Sequence, residues 1–363
     1  MSPAFIPAAR PMIGDDERRA VDAVLASGRL AQGPEVAAFE SEVSAALSDG
    51  RPSVAVNSGT SALHLGLLAC GIGEGDEVIV PSFTFAATAN AVRLVGATPV
   101  FVDIEPQHYC IDPSSVETAV TPRTRAIMPV HLYGHPADMT ALTSIAGRHD
   151  LAIVEDAAQA HGATWNSRRV GTFGDVGAFS FYPTKNMTAG EGGMITVSHA
   201  DGERHLRLLR NQGMETRYAN EIVGFNVRMT ELHAAIGRVQ LQKVHGWTTK
   251  RRANAAFLAS ELRSVEAPKT AAEAEHVWHQ FTVRIPDDRE GFAAALAHEH
   301  GIGSGAYYPT PVHRLPSFAL SLDLPHTEAA AAEVLSLPVH PSLSRDDLER
   351  IVTAVEHVAE AGR

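Results

Sequence analysis

The residue best suited to chemistry in this sequence is Lys185, which lies in the stretch FSFYPTKN. The chain contains 26 arginines but only four lysines. A primary amine, unlike a guanidinium, condenses with a carbonyl group to form a Schiff base. Lys185 stands between a run typical of a buried strand (VGAFSFY) and a glycine-rich turn (AGEGG). Because a surface loop is the commonest place for any lysine, the residues around it must decide its role.

A carboxylate that could complement this amine is Asp156, which ends the apolar run LAIVED. Ligands of open α/β sheets bind at the carboxyl ends of the strands. A carboxylate emerging from a buried strand is costly unless it is paired. Pyridoxal phosphate offers a fitting partner, because this cofactor needs a lysine for its imine and an acid against its ring nitrogen. The alternative is a helix N-cap, which is frequent where a strand turns into a helix.

A third segment, NSGTSALHLGLLAC, follows another short apolar run and predicts a site for a phosphate. Ser58, Gly59 and Thr60 stand where the first N–H groups of a helix would face a ligand. Free donors and the helix dipole together favour an anion there. Ser180, shortly before Lys185, could donate a further hydrogen bond. A helix with an ordinary N-cap would have much the same sequence.

A fourth segment, PSFTFAATANAV, places two aromatic rings at the end of a strand. Either Phe83 or Phe85 could stack on a flat cofactor, although core packing is the more frequent role of phenylalanine in such a run.

Short apolar runs alternate with helical patterns through the first two thirds of the chain and predict the elements that position these residues. The runs are SVAV, EVIVP, TPVFVD, TRAIMPV and LAIVED, and the intervening helical stretches are Thr60–Cys70, Thr84–Val95, Pro113–Val120 and Met139–His149. Strands that are apolar on both faces and alternate with helices indicate a mostly parallel sheet in an α/β fold. We therefore expect a large domain over residues 1–246 and a smaller C-terminal α+β domain over 247–363.

Composition narrows the class of function. The net charge of −12 and the sequence pI of about 5.8 argue against nucleic acid or an anionic membrane as a partner. Two cysteines exclude a disulfide framework, and a reduced, cytoplasmic location fits them. The N-terminus has no apolar stretch of signal-peptide length, and no apolar run reaches the length of a membrane span.

Histidines are numerous, and His131 and His135 have the spacing of a zinc pair. Gly134 and Pro136 instead predict a loop, and no carboxylate or cysteine cluster completes a site. We expect no metal.

Taken together, the segments resemble the DegT/DnrJ/EryC1/StrS family of sugar aminotransferases over nearly the whole chain. The resemblance rests on GPEVAAFE, NSGTSALHL, GDEVIVPSFTFAATANAV, PVHLYGHPADM, EDAAQAHGA, FGDVGAFSFYPTKN, GEGGMI, LRNQGM and GFNVRMTELHAAIG. It implies the fold of type I pyridoxal-phosphate enzymes and pyridoxal 5′-phosphate as cofactor.

The resemblance also implies roles for single residues. Lys185 corresponds to the lysine that forms the imine and moves the proton, and Asp156 to the partner of the ring nitrogen. Gln159 would reach the phenolic oxygen of the ring, and the ring of Phe85 would cover its face. The residues that would hold the phosphate are Ser58, Gly59, Thr60 and Ser180.

Further implied residues concern a neighbouring subunit and the substrate. Asn226 would reach the phosphate in a second subunit, which predicts a homodimer with shared active sites. Arg228, Tyr308 and His313 are candidates for substrate contact.

The predicted reaction is ping-pong transamination from L-glutamate, through pyridoxamine phosphate, to C3 or C4 of a nucleotide-linked keto-deoxysugar. One alternative is a keto-cyclitol acceptor with glutamine as donor. Others are a sugar dehydratase or a non-catalytic sensor that uses the same fold. Retention of Lys185, where dehydratases of this family have histidine, favours transamination.

Overall fold

A computed structural model describes residues 4–361, in which helices and strands alternate. The strands are β1 (Ser53–Val56), β2 (Glu77–Pro81), β3 (Thr98–Val102), β4 (Thr124–Ile127), β5 (Ala152–Asp156), β6 (Thr164–Trp165), β7 (Arg168–Arg169), β8 (Val176–Ser180), β9 (Gly193–Val197), β10 (Ala274–Glu275), β11 (Phe281–Arg284) and β12 (Val334–Leu337). The helices are α1 (Asp15–Ser27), α2 (Pro34–Leu47), α3 (Gly59–Ala69), α4 (Ala87–Leu94), α5 (Pro113–Ala119), α6 (Met139–His149), α7 (Ala200–Arg210), α8 (Glu231–Glu261), α9 (Arg289–His300), α10 (Pro325–Glu333) and α11 (Arg345–Ala361).

The main sheet has seven strands in the order β1-β9-β8-β5-β4-β2-β3. Strands β3, β2, β4, β5 and β8 pair in parallel. Strand β9 runs antiparallel to both β8 and β1, so β1 points in the same direction as β8. Every residue of β1, β2, β8 and β9 is buried, as expected for strands covered on both faces. The predicted α/β class with a mostly parallel sheet is confirmed.

The direction of the strands positions the site. Since β1, β2, β5 and β8 all point the same way, the segments that follow them meet at one edge of the sheet. Those segments are the start of α3, the turn before α4, the turn after β5 and the loop that carries Lys185. This is the carboxyl edge, where open α/β sheets bind ligands.

The C-terminal part has its own apolar cluster, which includes Ala255, Leu258, Phe281, Leu337 and Ile351. The cluster also takes in Ile6 from the N-terminal segment. The predicted boundary between residues 246 and 247 falls inside the 31-residue helix α8. We retain the division into domains 1–246 and 247–363 as a proposal.

Several elements of the structure are not predicted by the sequence patterns. The two-residue strands β6, β7 and β10 form a small separate sheet that joins segments more than a hundred residues apart along the chain. Two residues cannot carry a detectable alternation, so only the fold reveals such strands. Helices α7 and α10 and strand β12 were likewise not predicted.

Within residues 4–361, the helices are all too short or too polar to cross a membrane.

Candidate active site

A cavity of about 550 Å³ lies at the carboxyl edge of the main sheet. Nine of the twelve predicted site residues line it: Ser58, Gly59, Thr60, Phe85, Asp156, Gln159, Ser180, Lys185 and Tyr308. The fold thus brings together side chains separated by 250 residues of sequence, counted from Ser58 to Tyr308.

Lys185 lies in the loop after β8, half-buried, with its backbone N–H donating to the carbonyl of Tyr182 at 2.9 Å. Burial lowers the pKa of the Lys185 amine to about 8, and the Asp156 carboxylate opposes this shift. Desolvation disfavours the charged form of an amine. At pH 7 roughly a tenth of Lys185 is therefore neutral, far more than for an ordinary lysine, and the neutral amine is the form that attacks a carbonyl.

Asp156 is the last residue of β5 and is only 5% exposed. One carboxylate oxygen accepts the backbone N–H of Ala158 at 3.2 Å, and the other accepts the hydroxyl of Thr88 at 2.8 Å. Burial raises the pKa of Asp156, whereas Thr88, Ala158 and the charge of Lys185 act in the opposite direction. The helix N-cap alternative is excluded, because residues 157–163 form turns and not a helix.

The preceding residue, Glu155, has a different role. Its fully buried carboxylate accepts the backbone N–H groups of Gly171, Phe173 and Gly174 at 2.6–2.8 Å. It also lies 3.1 Å from Nε2 of His131. Successive side chains of a strand point to opposite faces, so Glu155 ties down a loop while Asp156 reaches the cavity.

The start of helix α3 is the segment for which the sequence predicts a phosphate cradle. Ser58 is its N-cap, and the Ser58 hydroxyl accepts the N–H of Ser61 at 3.1 Å. The first N–H groups of a helix have no partner within it, so those of Gly59 and Thr60 are available to an anion. A Cβ added at Gly59 would lie 2.7 Å from the Cβ of Ser180. Glycine therefore allows α3 to approach the end of β8.

The two aromatic candidates separate clearly. Phe83 is fully buried in the core, whereas Phe85 is 58% exposed and lines the cavity. The ring of Phe85 lies with its centroid 5.8 Å from that of Tyr308. An exposed ring at a cavity wall is available to stack on a flat ligand.

Gln159 connects the cavity floor to the loop that carries Tyr308. Its side-chain oxygen accepts the N–H of Tyr133 at 2.7 Å, and its side-chain nitrogen donates to the hydroxyl of Tyr308 at 3.2 Å. The Tyr133 hydroxyl donates in turn to the backbone carbonyl of Tyr307. These hydrogen bonds join the loop that carries Tyr307 and Tyr308 to the turn after β5.

Three predicted site residues do not reach this cavity. Asn226 is exposed, and Arg228 donates to the side chain of Asn211 at 2.7 Å. His313 is fully buried, with Nδ1 2.6 Å from the hydroxyl of Ser82. Both side chains have protein partners outside this cavity, and substrate contact by Arg228 and His313 stays a prediction.

The histidines with zinc-like spacing are also held by protein groups. His131 lies against Glu155 and accepts the N–H of Ala137 at 3.0 Å, while His135 contacts the carbonyl of Pro136 and the N–H of Ala271. Within the described part of the chain, three or more metal-ligating side chains nowhere form a group that could hold an ion.

Sequence reasoning missed several residues of the site, although some of them stand inside the segments that carry the family resemblance. Thr88 contacts Asp156, and further cavity residues are Thr84, Tyr182, Glu191, His279, Gln280 and Tyr307. Thr84 lies in the bend before α4, four residues ahead of Thr88, so no helical spacing links the two threonines in the structure.

The amine, carboxylate, exposed aromatic ring and helix N-terminus fit a flat, phosphorylated carbonyl compound that has a basic ring nitrogen. On this α/β fold they define an enzyme that works through a carbonyl-condensing lysine. The sequence model of the DegT/DnrJ/EryC1/StrS aminotransferase family matches residues 11–356, and the chain belongs to that family. The predicted family and its aminotransferase class are confirmed.

Individual relatives span nearly the whole chain. A dTDP-3-amino-3,4,6-trideoxy-alpha-D-glucose transaminase from Streptomyces venezuelae is 46% identical over 349 residues, which are 94% of this chain and 91% of that protein. The crystal structure of S. venezuelae DesV in complex with a ketimine intermediate has a TM-score of 0.91 at 45% identity and covers 95% of each chain. Bacillus subtilis NtdA with bound cofactor PMP has a TM-score of 0.90 at 34% identity, over 99% of this chain and 85% of that one.

Proposed function

We propose that this aminotransferase uses pyridoxal 5′-phosphate to move an amino group from L-glutamate to C3 of a nucleotide-linked keto-deoxysugar. The observation that carries the proposal is the cavity shared by the Lys185 amine and the Asp156 carboxylate at the carboxyl edge of the sheet. The cofactor supplies an aldehyde for imine formation and a ring that accepts electrons.

The residues of the cavity divide the work of holding this cofactor. The N–H groups of Gly59 and Thr60 and the hydroxyl of Ser180 would bind the phosphate. Asp156 would hold the proton on the ring nitrogen, Gln159 would donate to the phenolic oxygen, and Phe85 would cover one face of the ring. Ser58 shapes the cradle as the N-cap of α3.

Lys185 then acts as the acid and base of the reaction. With the cofactor bound, its Nζ would take the proton from the α-carbon of the amino donor and would pass it on as an acid. In the second half-reaction, Nζ would move a proton in the reverse direction, onto the carbon of the sugar that receives the amino group. Its lowered pKa suits this task, because a group that must both accept and donate a proton works best when its pKa lies near the working pH.

The substrate class rests on the relatives, since the S. venezuelae enzyme at 46% identity is a transaminase of a dTDP-linked 3-amino sugar. Tyr308 is retained as a substrate contact, because its ring lines the cavity beside Phe85. L-Glutamate as donor follows the family resemblance. A keto-cyclitol with glutamine is the competing outcome of the substrate test below.

A homodimer with shared active sites is also proposed. Lys185 is the only arginine or lysine among the described residues that line the cavity, so further side chains that bind the phosphates of a nucleotide-linked substrate must come from elsewhere. Asn226 is exposed and lies outside the chain's own cavity, which suits a residue that serves a second copy. Mixing inactive Lys185→Ala and Asn226→Ala subunits should restore part of the activity, whereas unshared sites would restore none.

A reducing, cytoplasmic location is proposed with it. Cys70 and Cys110 are both free thiols, and burial raises the pKa of each to about 12, so neither is a reactive thiolate.

The central test combines spectroscopy with labelling. The purified protein should be yellow, and borohydride should fix the cofactor to the peptide that contains Lys185. Adding L-glutamate should bleach the absorption and release 2-oxoglutarate, which Lys185→Ala should not do. Label recovered on another lysine, or an unchanged half-reaction in the variant, would refute the assignment. A panel of keto-sugar nucleotides and inososes, offered to the aminated enzyme, then identifies the acceptor.

A further inference from the structure

Thr88 is buried beneath the cavity and contacts the carboxylate that the proposed function needs. Its hydroxyl lies 2.8 Å from one oxygen of Asp156 and 3.0 Å from the hydroxyl of Thr84. Thr88 is fully buried, and Thr84 and Asp156 are 2% and 5% exposed. These contacts are thus shielded from bulk water. Hydrogen bonds are electrostatically stronger in such a buried environment than in water.

The direction of the two hydrogen bonds follows from counting protons. An ionised carboxylate only accepts, and each threonine hydroxyl has one proton to donate. If Asp156 is ionised, Thr88 must donate to it, and Thr84 must then donate to Thr88. The pair forms a chain that points its protons at Asp156 and stabilises the negative charge. A neutral Asp156 would lose this arrangement.

We propose that Thr88, supported by Thr84, is a positioning residue that keeps Asp156 ionised and aimed at the ring nitrogen of the cofactor. This inference rests on the proposed function. Burial alone favours the neutral acid, which cannot hold a proton on the ring nitrogen. Hydrogen bonds to the charged form counter that tendency, and Ala158 supplies the other one. The titratable groups that influence Asp156 from neighbouring elements are Lys185, His131 and Tyr308.

Thr88→Val removes the donor while keeping the shape of the side chain. With a less stabilised carboxylate, the shared proton moves from the ring nitrogen toward Asp156, and the ring loses positive charge. That charge depresses the pKa of the neighbouring imine, so the imine pKa should rise by at least about half a unit. The half-reaction with L-glutamate should slow by about 10-fold, as expected for losing a hydrogen bond to a charged group.

The experiment titrates the visible absorption of the cofactor-loaded enzyme against pH and measures the half-reaction rate for each variant. Thr88→Ser keeps the hydroxyl and should restore both values. Thr327→Val is the matched control, because Thr327 is equally buried and its hydroxyl has no partner among the described residues. This control should titrate like the unaltered protein.

An imine pKa in Thr88→Val equal to that of the unaltered protein would overturn the inference. If that variant does not fold, Thr84→Val decides, since it should shift the imine pKa upward by a smaller amount and no shift would count against the proposal. Failure of the unaltered protein to form a borohydride-reducible imine would instead overturn the proposed function itself.

Discussion

Glu155 and Asp156 are consecutive residues of β5, yet their carboxylates have entirely different partners. Glu155 accepts three backbone N–H groups of residues 171–174, whereas Asp156 contacts Thr88 and Ala158 beside the cavity. The strand pleat separates them, because adjacent side chains lie on opposite faces of the sheet. One carboxylate therefore holds a loop in place, and the other faces the site of the proposed chemistry.

Substitution of these two neighbours should separate stability from activity. Glu155→Gln replaces an acceptor oxygen with a donor that faces N–H groups, so the free energy of unfolding should fall by about 2 kcal/mol. Asp156→Asn should leave that free energy unchanged or higher but reduce the half-reaction rate at least about 100-fold. Chemical denaturation and single-turnover absorbance measure the two effects. Equal loss of stability in both variants would contradict the separation.

The pH dependence of cofactor capture should reflect the pKa of Lys185. Only the neutral amine attacks the aldehyde, and lowering the pKa increases the neutral fraction at a given pH. The rate of imine formation should therefore rise with pH, reach half of its maximum near pH 8 and level off about one pH unit higher, whereas with an ordinary lysine the rate would continue to rise toward pH 10.5. Stopped-flow mixing of cofactor-free enzyme with pyridoxal phosphate measures this profile.

The lowered pKa of Lys185 also predicts how the stability of the cofactor-free protein depends on pH. The folded state prefers the neutral amine, so this contribution stabilises fully above the unfolded pKa of 10.5 and is lost as the pH falls through about 8. For the rate of cofactor capture described above, a profile that still rose steeply at pH 9.5 would show that Lys185 is not desolvated.

The close approach of α3 to β8 should depend on Gly59. In Gly59→Ala the new methyl would lie 2.7 Å from the Cβ of Ser180, so the helix start must move away and disturb the phosphate cradle. We expect the affinity for pyridoxal phosphate to fall by about 10-fold or more, as measured by equilibrium titration.

The matched control for this change is Gly147→Ala in α6. A Cβ there meets nothing within 4 Å, so affinity should not change and stability should rise by about 1 kcal/mol. Similar losses of affinity in both variants would show that the Gly59 effect is not local.

We expect the hydroxyl of Tyr133 to affect the binding of the substrate and not that of the cofactor. Tyr133→Phe removes the donor to the carbonyl of Tyr307 but keeps the backbone N–H that binds Gln159. Since Tyr307 and Tyr308 line the cavity, the KM for the keto sugar should rise about threefold to tenfold while the cofactor absorption is unchanged. Tyr109→Phe is the control, because that ring packs against Tyr133 without lining the cavity. A changed absorption spectrum would argue against a role limited to the loop.

The sequence alone sufficed to predict the parallel sheet and the segments at its carboxyl edge. Strand runs that are apolar on both faces require helices between them, and parallel strands bring their ends to one edge. Lys185, Asp156 and Gly59 could therefore be placed near one another without coordinates. The types of these three residues, an amine, a carboxylate and a glycine at a helix start, already indicated the chemistry.

Tertiary structure alone decided which side chains face the cavity. Phe83 and Phe85 have equal claims in sequence, but the bend that follows β2 buries the first ring and exposes the second. Likewise, only the fold shows that His313 contacts Ser82 and that Arg228 contacts Asn211 outside the cavity. Thr88 meets Asp156 across 68 residues of sequence. Such contacts depend on loop geometry and packing between distant elements, which local sequence patterns do not encode.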